Sequence, residues 1–208
     1  MSGAFALTRV LVWRQLVDRA SRMQILAGKY KGRRLQSSPT PKVRPTARRM
    51  RESLFEMLGL RIDNARFLDL CCGSGSVGIE ALSRGAGHAT FVDRLGKMCD
   101  FVKTNLELCG VSEEQFEVVE NEAELFLRSA ALNNDAFWDI VYFDPPYASD
   151  YEPVIELFSA AKLLRKKRGV LVVEHASDNE LVEKISGLHR WRVIRQGESC
   201  LSFYERKK

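Results

Sequence analysis

From Phe67 onward, short apolar runs alternate with longer segments whose apolar residues recur at helical spacing. The runs FLDLCC (67–72), ATFVD (89–93), FEVVE (116–120), DIVYFD (139–144) and VLVVEH (170–175) read as strands. Amphipathic segments starting near Val77, Lys97, Ala123, Tyr151 and Asn179 read as the helices that follow them. Apolar-rich strands separated by helices form a parallel sheet covered on both faces, because each crossover lays a helix against the sheet. Two further runs, WRVIR (191–195) and CLSFYER (200–206), flank Gln196-Gly197-Glu198, and so short a connection pairs strands only antiparallel. The expected fold class is α/β, a doubly wound sheet closed by a terminal antiparallel hairpin.

Ahead of that alternation the pattern differs. Met23 to Leu35 reads as two short strands around Gly28 and Gly32, a basic hairpin. A Ser- and Pro-rich loop follows from Ser37 to Pro45. Thr46 is then placed to cap a helix from Ala47 to Leu58, with Met50, Leu54, Phe55 and Leu58 on one face. Within the first 22 residues, Val10, Trp13, Val17 and Ala20 recur at helical spacing among Arg9, Arg14, Arg19 and Arg22. That stretch reads as an extension ahead of a natural start at Met23, with an organelle transit segment as the alternative. The chain thus divides into an extension (1–22), a basic hairpin and helix (23–58) and a larger α/β domain (59–208). No apolar run approaches the ~20 residues of a membrane-spanning helix, so no membrane partner is expected.

Charge changes this picture once it is located. The net charge is +5, yet the chain through Arg51 carries 13 basic residues against one acid, and the remainder is −7. Such asymmetry points to a polyanion-binding arm on a mildly acidic domain, or else to a solvated basic tail. The five cysteines, Cys71, Cys72, Cys99, Cys109 and Cys200, form no C-x-x-C pair or Cys/His cluster. Neither a disulfide framework nor a metal site is expected, and a reducing, cytoplasmic setting fits.

The candidate chemistry sits at strand ends. Gly73-Ser74-Gly75-Ser76-Val77-Gly78 matches G-x-G-x-x-G between a strand and a helix, a signal shared by dinucleotide and S-adenosylmethionine sites. Asp69, four residues before Gly73, separates the two. A carboxylate there would repel a pyrophosphate, whereas it suits the ammonium and sulfonium of S-adenosylmethionine. Asp69 can equally cap the loop amides, and the roles can coexist. Asp93, 20 residues beyond Gly73, stands where an acid takes ribose hydroxyls, or caps the helix near Leu95. Glu122 follows the third strand and could accept from an adenine amino group.

Asp144-Pro145-Pro146-Tyr147 begins where the fourth strand ends. Ligands of open α/β sheets bind outside the carboxyl ends of strands, at the point where strand order reverses. The glycine loop and this tetrapeptide should therefore face one another. The two prolines fix φ and remove N–H donors, and Asp144 adds a side-chain acceptor. Such acceptors can hold an amino group and stabilise the positive charge that builds on it as a methyl arrives. Tyr147 offers a flat face for an extruded base. Read without that context, the tetrapeptide is only a turn.

The run FLDLCCGSGSVGIEALSRGA, the segment VRPTARRMRESLFEML, FDPPY and the closing GESCLSFYER together resemble bacterial 16S ribosomal RNA guanine-N2 methyltransferases of the RsmD type. Arg44-Pro45-Thr46 followed by Arg51-Glu52 is the most discriminating element, and the resemblance spans Met23 to Arg206. It implies a class I, Rossmann-like methyltransferase fold with S-adenosylmethionine as donor. Asp69, Cys71, Gly73, Ser74, Gly75, Gly78, Asp93, Arg94, Glu122, Ala123 and Asp144 would then line the cofactor pocket. Asp144, Pro145, Pro146 and Tyr147 would hold the target amine, while Arg44 and Thr46 would close over the cofactor and nucleotide. Lys29, Lys31, Arg33, Arg34, Arg48, Arg49 and Arg51 would grip RNA phosphates. The implied partner is small-subunit ribosomal RNA in an assembled or partly assembled 30S particle, and the implied enzyme is a monomer. Relatives usually carry an aromatic and a small residue where Cys71-Cys72 stand, often have Glu for Asp93, and vary at Glu122.

Two other functions remain open on the residues. One is an amino-methyltransferase for DNA adenine or a protein glutamine, which more often has Asn in place of Asp144. The other is a non-catalytic RNA-binding assembly factor, against which the set Asp69, Asp93 and Asp144 argues.

Overall fold

A computed structural model describes residues 23–36, 45–133, 137–146, 150–160, 163–165 and 168–206, with only the backbone course at 45–47. The 1–22 extension, Arg44 and Tyr147 lie outside these residues, as do the side chain of Thr46 and most of the Ser- and Pro-rich loop.

Eight strands form one sheet in the order β3-β2-β1-β4-β5-β8-β7-β6. The first five, β1 (Arg66–Leu70), β2 (His88–Asp93), β3 (Phe116–Glu120), β4 (Ile140–Phe143) and β5 (Val170–Ala176), run parallel. The helices are α1 (Pro45–Leu58), α2 (Ser76–Ser83), α3 (Gly96–Cys109), α4 (Ala123–Ala131) and α5 (Glu152–Ala160). β7 (Leu188–Gln196) and β8 (Ser199–Arg206) form the expected antiparallel pair, and β8 inserts beside β5. Strand residues alternate between faces. Phe67, Phe91, Tyr142 and Val172 pack under α1, α2 and α3, while Leu68, Val92, Phe143 and Val173 pack under α4 and α5. Among the described residues, no helix is long and apolar enough to cross a membrane.

The expected helix near Asn179 is absent. Leu181 and Ile185 are both buried and four apart, which imitates a helical face. Instead, β6 (Lys184–Ile185) turns through Ser186 and Gly187 and pairs back on β7, with Ile185 opposite Leu188. Both turn residues have positive φ (45° and 89°), the backbone of a tight two-residue hairpin. The other correction concerns α1. It starts at Pro45, whose fixed φ and missing N–H suit a first helical turn, so Thr46 lies within the helix and not at its cap.

The N-terminal hairpin pairs Gln24 with Arg34, and the Ile25 and Leu35 amides donate to Arg33 and Met23. It is not a free arm. Ile25, Tyr30 and Leu35 are buried in the same cluster as α1 and the sheet. Buried Glu80 on α2 accepts the Leu26 and Ala27 amides at 2.7 and 3.0 Å, and Ser83 receives those of Lys29 and Tyr30.

Candidate active site

β1 and β4 are neighbours, so the chain's return from the β3 edge opens a crevice above their carboxyl ends. The turn after β1 bends through positive φ at Cys71 (65°), Gly73 (52°) and Gly75 (73°) before α2 begins. Two carboxyls fasten it, buried Asp69 and half-buried Asp93. Asp69 Oδ2 accepts the Gly78 amide at 2.8 Å, and Asp93 Oδ2 accepts that of Gly73 at 2.9 Å. Asp93 Oδ1 also accepts the Leu95 amide at 2.9 Å, which ties the end of β2 to the start of α3. A side chain at Gly78 would place Cβ 2.3 Å from the Phe91 ring and 3.1 Å from Asp69 Oδ2, so only glycine keeps this register. Asn105, which sequence reading passed over, clamps the loop from α3. Its Nδ2 donates to Ser74 O and Gln36 O, and its Oδ1 accepts the Gln36 amide.

A cavity of about 970 Å³ occupies the crevice. Cys71, Asp93, Arg94, Glu122 and Ala123 line it toward β1–β3, and Asp144, Pro145 and Pro146 toward β4. Asp69, Gly73, Ser74, Gly75 and Gly78 are not among its walls; they form the turn that carries the walls. Among the described residues, six that bear carboxyls, Asp93, Glu122, Glu124, Asp144, Asp150 and Glu174, face one guanidinium, Arg94. That balance suits a cationic nucleoside and opposes a pyrophosphate. Apolar Leu95, Met98 and Leu125 offer contact for a flat base.

Glu174 was not anticipated. Side chains alternate along a strand, so Glu174 and His175 at the end of β5 face opposite ways. His175 is buried on the other side, with Nε2 2.8 Å from Ser202 Oγ, and Glu174 faces the cavity. The Tyr142 hydroxyl donates to Glu174. Its signal in the sequence is a charged residue interrupting an otherwise apolar strand.

In the free protein the electrostatics of this corner favour protons, and a cation bound beside the carboxyls would draw them back to the ionised, accepting form. Burial, then the neighbouring charges of Glu174 and Asp69, hold the Asp144 carboxyl well above the usual carboxylate range. Burial also raises Glu174, against the lowering effect of the Tyr142 hydrogen bond. Asp69 is pushed up to about 7 by burial and by Asp93, despite the Gly78 amide. Cys71 is pushed up to about 12 by burial and the surrounding carboxylates, so its thiol is no nucleophile here.

The raised Asp69 carboxyl makes the stability of the fold depend on pH. The unfolded chain releases this proton near its ordinary value of 3.8, whereas the folded chain holds it to about 7. The folded state binds more protons between those values, so the contribution to stability falls as pH rises through that window and is level above it. Urea unfolding of the free protein should show lower stability at about pH 7.5 than at about pH 5, with Asp69→Asn flattening the difference. Equal slopes for both proteins would remove Asp69 as the cause.

Of the residues expected to meet RNA, Lys29, Lys31, Arg33, Arg34, Arg48 and Arg49 are exposed. Arg51 is a correction. It is buried, and its guanidinium donates to Gln24 O at 2.8 Å, joining α1 to the hairpin. Met50 lines the cavity, so the helix carrying Arg48 and Arg49 borders the site.

The profile of a family described as Conserved hypothetical protein 95 matches residues 23–205. YlbH of Bacillus subtilis, provisionally named an rRNA methyltransferase, is 36% identical over 186 residues, 89% of this chain and 100% of that protein. Ribosomal RNA small subunit methyltransferase D of Haemophilus influenzae is 33% identical over 181 residues, 82% of this chain and 92% of that protein. Among solved structures, yhhF of Escherichia coli, provisionally named a methyltransferase, superposes with a TM-score of 0.78 at 29% identity. The match covers 90% of this chain and 99% of that one.

Proposed function

We propose, on the premise that this chain belongs to the Conserved hypothetical protein 95 family with the RsmD-type methyltransferases, that it methylates N2 of one guanine in small-subunit ribosomal RNA. The donor in this reading is S-adenosylmethionine, which when bound supplies an electrophilic methyl on a sulfonium. The observation that carries the proposal is the cavity whose acidic walls meet Asp144-Pro145-Pro146 at the end of β4. Asp93, which ends β2, and Glu122, which follows β3, both on the cavity wall, are assigned to ribose and adenine in this reading. Asp69 fastens the glycine turn and so keeps the floor of the site in shape.

The acceptor's role falls to β4. Asp144 takes an N–H of the target amine and stabilises positive charge as it develops on that nitrogen, an interaction stronger in the transition state than in the ground state. The proline carbonyls supply further acceptors without competing donors. The methylated nitrogen is acidic enough to release its proton to water, so no general base is required. Tyr147 is proposed to stack on the extruded base. The exposed cations of the hairpin and α1 hold phosphates and set the register of the RNA, and Arg44 and Thr46 are proposed to close over the cofactor and nucleotide. The substrate is taken to be an assembled or partly assembled particle, met in the cytoplasm by a monomeric enzyme.

Labelled-methyl transfer to small-subunit particles from cells lacking the enzyme tests this reading. N2-methylguanine is the expected product; N6-methyladenine, or no transfer to particles or their RNA, would sink it. Replacing Arg33 and Arg34 together by alanine should weaken RNA binding and lower the slope of log affinity against log salt by about 1.4–1.8. An unchanged slope would mean that the hairpin does not touch phosphates.

A further inference from the structure

We infer that Glu174 reads the base, accepting the N1–H of guanine while Asp144 holds the adjacent amino group. This rests on the proposed guanine-N2 reaction and assigns the specificity which that proposal leaves open.

The placement follows from topology. Cys71, Asp93 and Glu122 line the β1–β3 side of the cavity, which leaves β4 and β5 for the acceptor. In the β4–β5 register Phe143 is opposite Val173, so the next residues, Asp144 and Glu174, stand side by side. Both face the cavity. Asp144 follows β4 at the cavity wall, within reach of a ligand. The Tyr142 hydroxyl on β4 donates to Glu174 Oε2, which leaves Oε1 to point elsewhere.

Two acceptors in a row match one natural base. Guanine presents N1–H and the 2-amino group next to each other, both donors. Adenine and cytosine place a ring acceptor beside their amino groups. A carboxylate at the second position would pair with guanine and oppose a lone pair on the others. A site built to hydrogen-bond a donor rejects an analogue that lacks it far better than an apolar pocket rejects an extra group. Asp144 alone would accept any of the three amines. The pair distinguishes them.

The test uses 2-aminopurine, which keeps the 2-amino group but has an acceptor at N1. Small-subunit particles are reconstituted with guanine or 2-aminopurine at the methylated position. The wild-type enzyme should prefer guanine by about ten- to a hundredfold in kcat/KM, the range expected for one hydrogen bond to a charged group. Glu174→Gln keeps the volume and a partner for Tyr142; in it the preference should shrink to a few-fold, mainly through loss on guanine. S-adenosylmethionine affinity, read by calorimetry, should change little. A Glu174→Gln enzyme with the wild-type preference overturns the inference, and so does one that loses cofactor binding along with activity. Failure of the wild-type enzyme to methylate guanine in any particle would instead reject the function on which the inference rests.

Discussion

Asp144→Ala is expected to lower the rate of methyl transfer by at least about a hundred- to a thousandfold, the range seen when one preorganised transition-state partner is removed. Its affinity for S-adenosylmethionine should stay within a few-fold of wild type. The separation arises because the groups assigned to ribose and adenine, Asp93 and Glu122, sit on the opposite side of the cavity from β4. Alanine removes the acceptor for the amine and the charge that offsets the developing ammonium, and leaves the proline backbone in place. Asp144→Asn is the informative companion. It keeps an acceptor of the same shape but not the charge, so its rate should lie between those of wild type and Asp144→Ala. Single-turnover transfer measured beside calorimetry separates chemistry from binding. An Asp144→Ala enzyme retaining most of its rate would show that the prolines and Tyr147 alone position the amine.

How much of this was legible in the sequence depended on whether the cause was local. The parallel strands and the glycine turn follow from periodicity and from glycine's tolerance of positive φ, and both were visible. Asp93 was readable either as a ribose ligand or as a helix cap. In the free protein both of its oxygens already hold backbone amides, at Gly73 and Leu95. What escaped depended on lateral neighbours. Leu181 and Ile185 have helical spacing, yet a two-residue turn at Ser186-Gly187 sends that segment into the sheet. Arg51 belongs to a basic run, but α1 packs against the hairpin and turns its guanidinium inward. Glu174 acquires its meaning only when β5 lies beside β4, a pairing that no spacing along the chain discloses. The same holds for Glu80, which reads as an ordinary helix acid and is in fact the anchor of the hairpin.

That anchor makes Gly28→Ala the most damaging small substitution expected outside the cavity. Gly28 has φ of 81°, and a Cβ there would lie 1.7 Å from the Ser83 carbonyl oxygen. The same oxygen accepts the Lys29 amide at 2.7 Å, so it cannot retreat without breaking the contact that docks the turn. The hairpin would have to lift from α2. Glu80, fully buried, would lose the amides of Leu26 and Ala27 and keep Arg84 as a partner. Stripping donors from a buried carboxylate, added to left-handed strain, is expected to cost about 3–5 kcal/mol, a large part of the stability of a domain this size. Gly32→Ala is the control. Its φ is 85°, but its Cβ would meet only the Gln24 side chain, at 3.6 Å, so backbone strain of about 1–2 kcal/mol is all that is expected. Urea unfolding of both variants gives the comparison directly. Equal losses would mean that turn conformation, and not docking on Glu80 and Ser83, holds the basic hairpin against the domain.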